Sequence, residues 1–122
     1  MMINDLVADI HENAKDKGWW DEPRSPLDIH MLIVSEVAEA TEAVRNDWPD
    51  VFQVGGIEEP ILPGSILWKD TGKHEGEAVE LADAIIRILD YAGHKGWDME
   101  KILLDKICYN LKRSHRHGGK KY

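Results

Sequence analysis

The chain has 122 residues, about one domain's worth, with 43% apolar residues, 31% charged residues and a formal net charge of −8. No stretch approaches the roughly 18 consecutive apolar residues of a membrane-spanning helix, and the acids spread through residues 1–16 argue against a secretory leader there. The lone Cys108 excludes an internal disulfide and a cysteine-based zinc site, so the expected compartment is the cytoplasm.

In chain order, the first helix is expected over residues 3–17. Ile3, Leu6, Val7, Ile10 and Ala14 recur at helical spacing and Gly18 stops them. Trp19 and Trp20 follow in a connection that ends at Pro23. The second helix opens with Ser25 as cap and Pro26 in the first turn, with Asp28 three residues after the cap. Ile29, Leu32, Ile33, Val37, Ala40 and Val44 make its apolar stripe, and Pro49 ends it near residues 46–48.

Residues 49–72 hold three prolines and four glycines and are read as a long irregular loop, with a small hairpin pairing 51–54 with 65–68. The third helix is expected over 75–92, apolar around most of its circumference and broken by Gly93 and Gly96. That composition suits a central helix or one in a subunit interface. The fourth starts with Asp98 as cap and runs to about Arg113, with Ile102, Leu103, Ile107 and Leu111 as its buried stripe. Residues 114–122 form an irregular basic tail. The expected fold is all-α, a four-helix bundle-like single domain with little or no sheet.

Charge is divided along the chain. All 23 acids lie in residues 1–105, whereas residues 106–122 carry Lys106, Lys112, Arg113, Arg116, Lys120 and Lys121 and no acid. An acidic body disfavours DNA or RNA as a partner, since nonspecific nucleic-acid binding needs a basic face. It favours cations, and the basic tail suits either a small polyanion or plain solubility.

Glu36 and Glu39 share one face of the second helix, and Glu36 lies inside the apolar stripe. Burying a lone carboxylate costs several kcal/mol unless a cation pairs with it; the alternative is a narrower stripe that leaves Glu36 at its rim. Glu80 and Asp83 repeat the spacing on the third helix, where Glu77, Arg87 and Asp90 also allow an ordinary wet face. Two such pairs can put four carboxylates around one point. An all-oxygen set suits Mg²⁺, with Mn²⁺ as substitute, and neither zinc nor redox iron. Lys106, Asn110 and Arg113 share a face of the fourth helix, and Gly118, Gly119 and Lys120 follow. They fit a phosphate chain or, more simply, a helix C-terminus that favours cations.

The ordered set resembles the MazG-like all-α nucleotide pyrophosphohydrolases. The matching segments are Leu32-Ile33-Val34-Ser35-Glu36-Val37-Ala38-Glu39-Ala40, then Val79-Glu80-Leu81-Ala82-Asp83-Ala84-Ile85-Ile86-Arg87, then K-x-x-x-N-x-x-R with H-G-G-K over residues 106–120. Gly18-Trp19-Trp20-Asp21 resembles the entry to the second helix in some members. The resemblance implies Mg²⁺-dependent hydrolysis of an NTP or dNTP to the monophosphate and pyrophosphate. It implies Glu36, Glu39, Glu80 and Asp83 as metal ligands, with Glu36 and Glu39 catalytic. It implies Lys106, Asn110, Arg113 and Lys120 as nucleotide contacts, and a homodimer or homotetramer. Trp20 or Trp19 would stack on the base or plug the end of the bundle. Ser35 stands where the family's common E-E-x-x-E has its first glutamate, which keeps open a bundle that senses Mg-nucleotide without cleaving it.

Overall fold

The computed structural model describes residues 2–54, 58–60, 68–70 and 72–122. It is mainly helical: α1 Ile3–Asp16, α2 Pro26–Arg45, α3 Glu77–Lys95, α4 Met99–Leu111 and the single turn α5 Arg116–Gly119. Among the described residues, four short strands lie between α2 and α3: β1 Phe52–Val54, β2 Glu58–Pro60, β3 Trp68–Asp70 and β4 Lys73–Glu75. The chain divides into two compact units, one of residues 1–23 with 89–122, the other of residues 24–88.

In the unit formed by the chain ends, Val7, Leu89 and Ala92 make the buried core, with Ile3, Leu6, Ile10 and Met99 packed against them. These are the periodic residues of α1 meeting the end of α3, as the helical spacing requires. Asn4 ties α1 to the start of α4. Its backbone N–H donates to Glu100 at 2.6 Å, its side-chain amide donates to Asp98 at 2.9 Å, and its side-chain carbonyl accepts from the Glu100 N–H at 3.2 Å. Asp98 also caps α4 by accepting from the Lys101 N–H at 3.1 Å.

Gly93 does not break α3. It lies inside the helix, where a Cβ would come 2.6 Å from Cβ of His11, so its absent side chain lets α1 approach. The stop is Gly96, at φ +70°.

In the unit of residues 24–88, Ser25 accepts from the Leu27 N–H at 3.2 Å and Pro26 opens α2, as its sequence predicts. Ile29, Ala40, Ala43 and Ala84 are buried. The segment after α2 carries two two-stranded antiparallel sheets. Strand β1 pairs with β4 (Phe52 opposite Glu75, Val54 opposite Lys73); of residues 65–68, expected to pair with 51–54, Trp68 alone is described. Trp68 pairs with Pro60 in the second sheet, and residues 65–67 lie outside the described ones. Glu75 therefore belongs to a strand, and α3 begins at Glu77. Gly76 makes this turn at φ +115°, with no room for a Cβ beside the Asp50 carbonyl, which accepts from the Ala78 N–H at 3.1 Å.

Two further expectations are corrected. No residue of α4 is buried; its stripe residues Ile102 and Leu111 are 47% and 80% exposed. The amphipathic spacing identifies a helix but does not supply a surface to cover its apolar face. The tail is also less irregular than its composition implies, since residues 116–119 close one turn, with Arg116, Gly118 and Gly119 at positive φ. No described helix is long and apolar enough to cross a membrane.

Candidate functional site

The acids of α2 and α3 converge within one unit. Glu36 and Glu80 are each only 8% exposed, and Asp83 is half-buried. One carboxylate oxygen from each of the three lies within 4.8 Å of the others. Among the described residues this is the group of acids, histidines or cysteines with the spacing to hold a cation. Glu39, one turn along α2, is exposed and hydrogen-bonds Glu80. The i, i+3 spacing of each pair thus places all four carboxylates in one neighbourhood.

The electrostatics are those of crowded anions. Burial, then the hydrogen bond that the protonated Glu80 donates to Glu39 and the charges of Glu39, Asp83 and Glu36, push the Glu80 carboxyl up to about 7. Asp83 is raised by burial and by the Glu36 charge, against the lowering effect of Arg87 and Lys73. Among the described residues, two cations serve this cluster, and neither stood out in the sequence. Arg87 Nε donates to Glu36 Oε1 at 2.8 Å. Lys73, on β4, pairs with Glu75 at 2.9 Å and interacts favourably with Glu80 and Glu39. Arg87 had a signal: it falls one turn after Asp83 and two after Glu80, but the same spacing fits a wet face. Lys73 had none, because the β1–β4 pairing that places it is not written in local periodicity.

The residues proposed to contact nucleotide lie in the other unit. Lys106 and Arg113 both approach the Tyr109 ring, at 4.8 Å and 5.4 Å from its centroid. An open hollow beside them is lined by Ile102, Asp105, Lys106 and Tyr109. Asn110 and Lys120 are exposed, the latter just after the α5 turn.

Trp20 is half-buried while its neighbour Trp19 is 63% exposed. The Trp20 indole N–H donates to both oxygens of Asp90, at 2.9 and 3.1 Å, and its ring lies flat on His94. Asp90 also holds His11 Nδ1 at 2.8 Å. Sequence reasoning passed over His11, Asp90 and His94; Asp90 read only as another acid on a charged face.

No family model, curated protein or solved structure matches this chain.

Proposed function

We propose that the chain is a Mg²⁺-dependent nucleoside triphosphate pyrophosphohydrolase, converting an NTP or dNTP to the monophosphate and pyrophosphate. The observation that carries this reading is the convergence of Glu36, Glu80 and Asp83, with Glu39 bonded to Glu80. A cluster whose donors are all carboxylate oxygens fits a hard divalent cation, Mg²⁺ or Mn²⁺. The four carboxylates would hold it; when bound, it supplies neutralisation of phosphate charge and a bound water of lowered pKa.

The remaining chemistry belongs to the chain's own groups. Arg87 fixes the Glu36 carboxylate. Glu39, the exposed member, takes the proton from the attacking water. The water oxygen bonds to the α-phosphorus, the α–β anhydride bond breaks, and pyrophosphate leaves. Lys106, Asn110, Arg113 and Lys120 bind phosphate oxygens and offset charge on the leaving group. Trp20 provides a ring face for the base. The protomer is a four-helix bundle that works as a cytoplasmic homodimer or homotetramer. Exposed Ile85 and Ile86 on α3 and exposed Ile102, Leu104 and Ile107 on α4 each support assembly, since exposed apolar side chains gain by burial.

One observation favours a second reading, a bundle that binds Mg-nucleotide without cleaving it. The Ser35 hydroxyl donates to the Leu32 carbonyl of its own helix at 2.6 Å, so it brings no charge to the cluster. The deciding experiment is a screen of common NTPs and dNTPs with Mg²⁺, identifying the products. Metal-dependent release of pyrophosphate and monophosphate supports hydrolysis; binding without products supports the sensor.

A further inference from the structure

The cluster around Trp20 is more built than a packing contact needs. The Asp90 carboxylate, half-buried, accepts twice from the Trp20 indole N–H and holds His11 as well, so the plane of the indole is fixed by hydrogen bonds as well as packing. On the face so oriented lies the imidazole of His94, 4.0 Å between centroids and 9° from parallel. That is the geometry of one stacked heterocycle on another. Tyr91 also lies near His94, 6.4 Å between centroids and 25° off parallel. His94 itself is exposed, on the last turn of α3.

We propose that His94 is a displaceable internal occupant of a heterocycle slot whose floor is Trp20, and that a nucleobase binds there by taking the place of the imidazole. The inference rests on the nucleotide reading only for the identity of the heterocycle. Imidazole is smaller than any nucleobase, so a base gains more overlap with the indole than the histidine gives up. An exposed side chain on a last helical turn can change rotamer without disturbing the Val7, Leu89 and Ala92 core. Asp90 and His11 act as positioning residues, because they keep the indole plane in place when His94 leaves. The slot is thus closed at rest by a residue of the chain, and base affinity carries the cost of opening it.

The test is a titration of the full chain with purine and pyrimidine 2′-deoxynucleoside 5′-monophosphates in EDTA, read by the ¹H–¹⁵N signals of the indoles. Trp20→Phe assigns the Trp20 signal. We expect the Trp20 signal to shift saturably for at least one base. His94→Ala should lower the Kd at least threefold, and His94→Gln, which keeps bulk without the ring, should do the same. Unchanged or weaker binding in both His94 variants overturns the proposal. So does a Trp20 signal that no monophosphate moves. Pyrophosphate release from triphosphates by the unaltered chain, measured in parallel, shows whether the nucleotide reading falls with it or survives it.

Discussion

Arg87 sets its Nε 2.8 Å from Oε1 of Glu36, so the most deeply placed carboxylate of α2 is held by a guanidinium from α3. Arg87 is partly exposed and the Glu36 side chain is not, at 36% and 11% exposure. The pair is therefore unequal. Loss of the arginine strands a buried charge, whereas loss of the glutamate charge leaves an arginine that water can reach. Arg87→Met is expected to destabilise the chain by about 1–3 kcal/mol, the range for leaving a buried polar group unsatisfied. Glu36→Gln should destabilise it by less. Urea unfolding in EDTA checks the order; equal losses would mean that the pair is screened as a surface pair is.

The shifted Glu80 gives a pH dependence with a definite sign. Its folded-state pKa, about 7, is above the ordinary glutamate value of 4.5, so between those values the folded chain binds more protons than the unfolded one. Stability from this group is complete below about pH 4.5 and is lost as pH rises towards 7. Asp83 is shifted in the same direction. Thermal melts in EDTA should therefore show Glu80→Gln gaining on the unaltered chain as pH rises from 5 to about 8. Mg²⁺ or Mn²⁺ should counter the loss, since a ligand at about 100 times its Kd adds roughly 2.7 kcal/mol. Midpoints that ignore both pH and metal would count against the cluster as a cation site.

Glu39→Gln and Asp83→Asn keep side-chain shape and remove charge. Each is expected to abolish pyrophosphate release, with far-ultraviolet circular dichroism unchanged. Glu39 is the sharper case, because it is exposed and glutamine keeps an oxygen that can accept from Glu80. Full activity in Glu39→Gln would remove it from both metal binding and proton transfer.

Gly76→Ala tests whether the turn into α3 places the cluster. At φ +115° an alanine is strained, and its Cβ would meet the backbone of Asp50. The Gly76 carbonyl also accepts from the Glu80 N–H at 3.0 Å, so a shift there is passed to the first turn of α3. We expect a loss of about 1–3 kcal/mol in stability and weaker Mn²⁺ binding by calorimetry. Gly96→Ala, which meets nothing within 4 Å, should show only the first effect.

Local signals carried much of this fold. Ser25 and Pro26, Asp98, and the repeat of Ile3, Leu6, Val7 and Ile10 mark helices by chemistry that acts within a turn or two, and the structure has those helices. The shared faces of Glu36 with Glu39 and of Glu80 with Asp83 were legible for the same reason, because i, i+3 spacing fixes a face. What failed is non-local. Strand β1 finds its partner about 20 residues away at β4, a choice that no three-residue pattern encodes. Gly93 reads as a stop until His11 is known to lie against it. The stripe of α4 reads as buried, yet periodicity says which face is apolar and not what covers it.

The basic end of the chain offers the strictest test of substrate binding. Six bases and no acid follow Asp105, and α4 gathers two of them, Lys106 and Arg113, on the ring of Tyr109. A ring face holds cations in place at low energy, so the two side chains are partly ordered before any anion arrives. Arg113 can grip phosphate oxygens with two parallel N–H donors, a geometry lysine cannot copy. Arg113→Ala should lower kcat/KM by about 2–4 kcal/mol in transition-state binding, the range for losing a charge-assisted contact. Arg113→Lys should recover part of that. Lys121, which lies over Tyr122 and outside the motif, should be near neutral when replaced by alanine. Tyr109→Leu should fall between, because it keeps both charges and loosens their placement. All four are compared at fixed Mg²⁺ and ionic strength. Should Arg113→Ala and Lys121→Ala behave alike, the tail acts only as diffuse charge, and phosphate binding by α4 has to be given up.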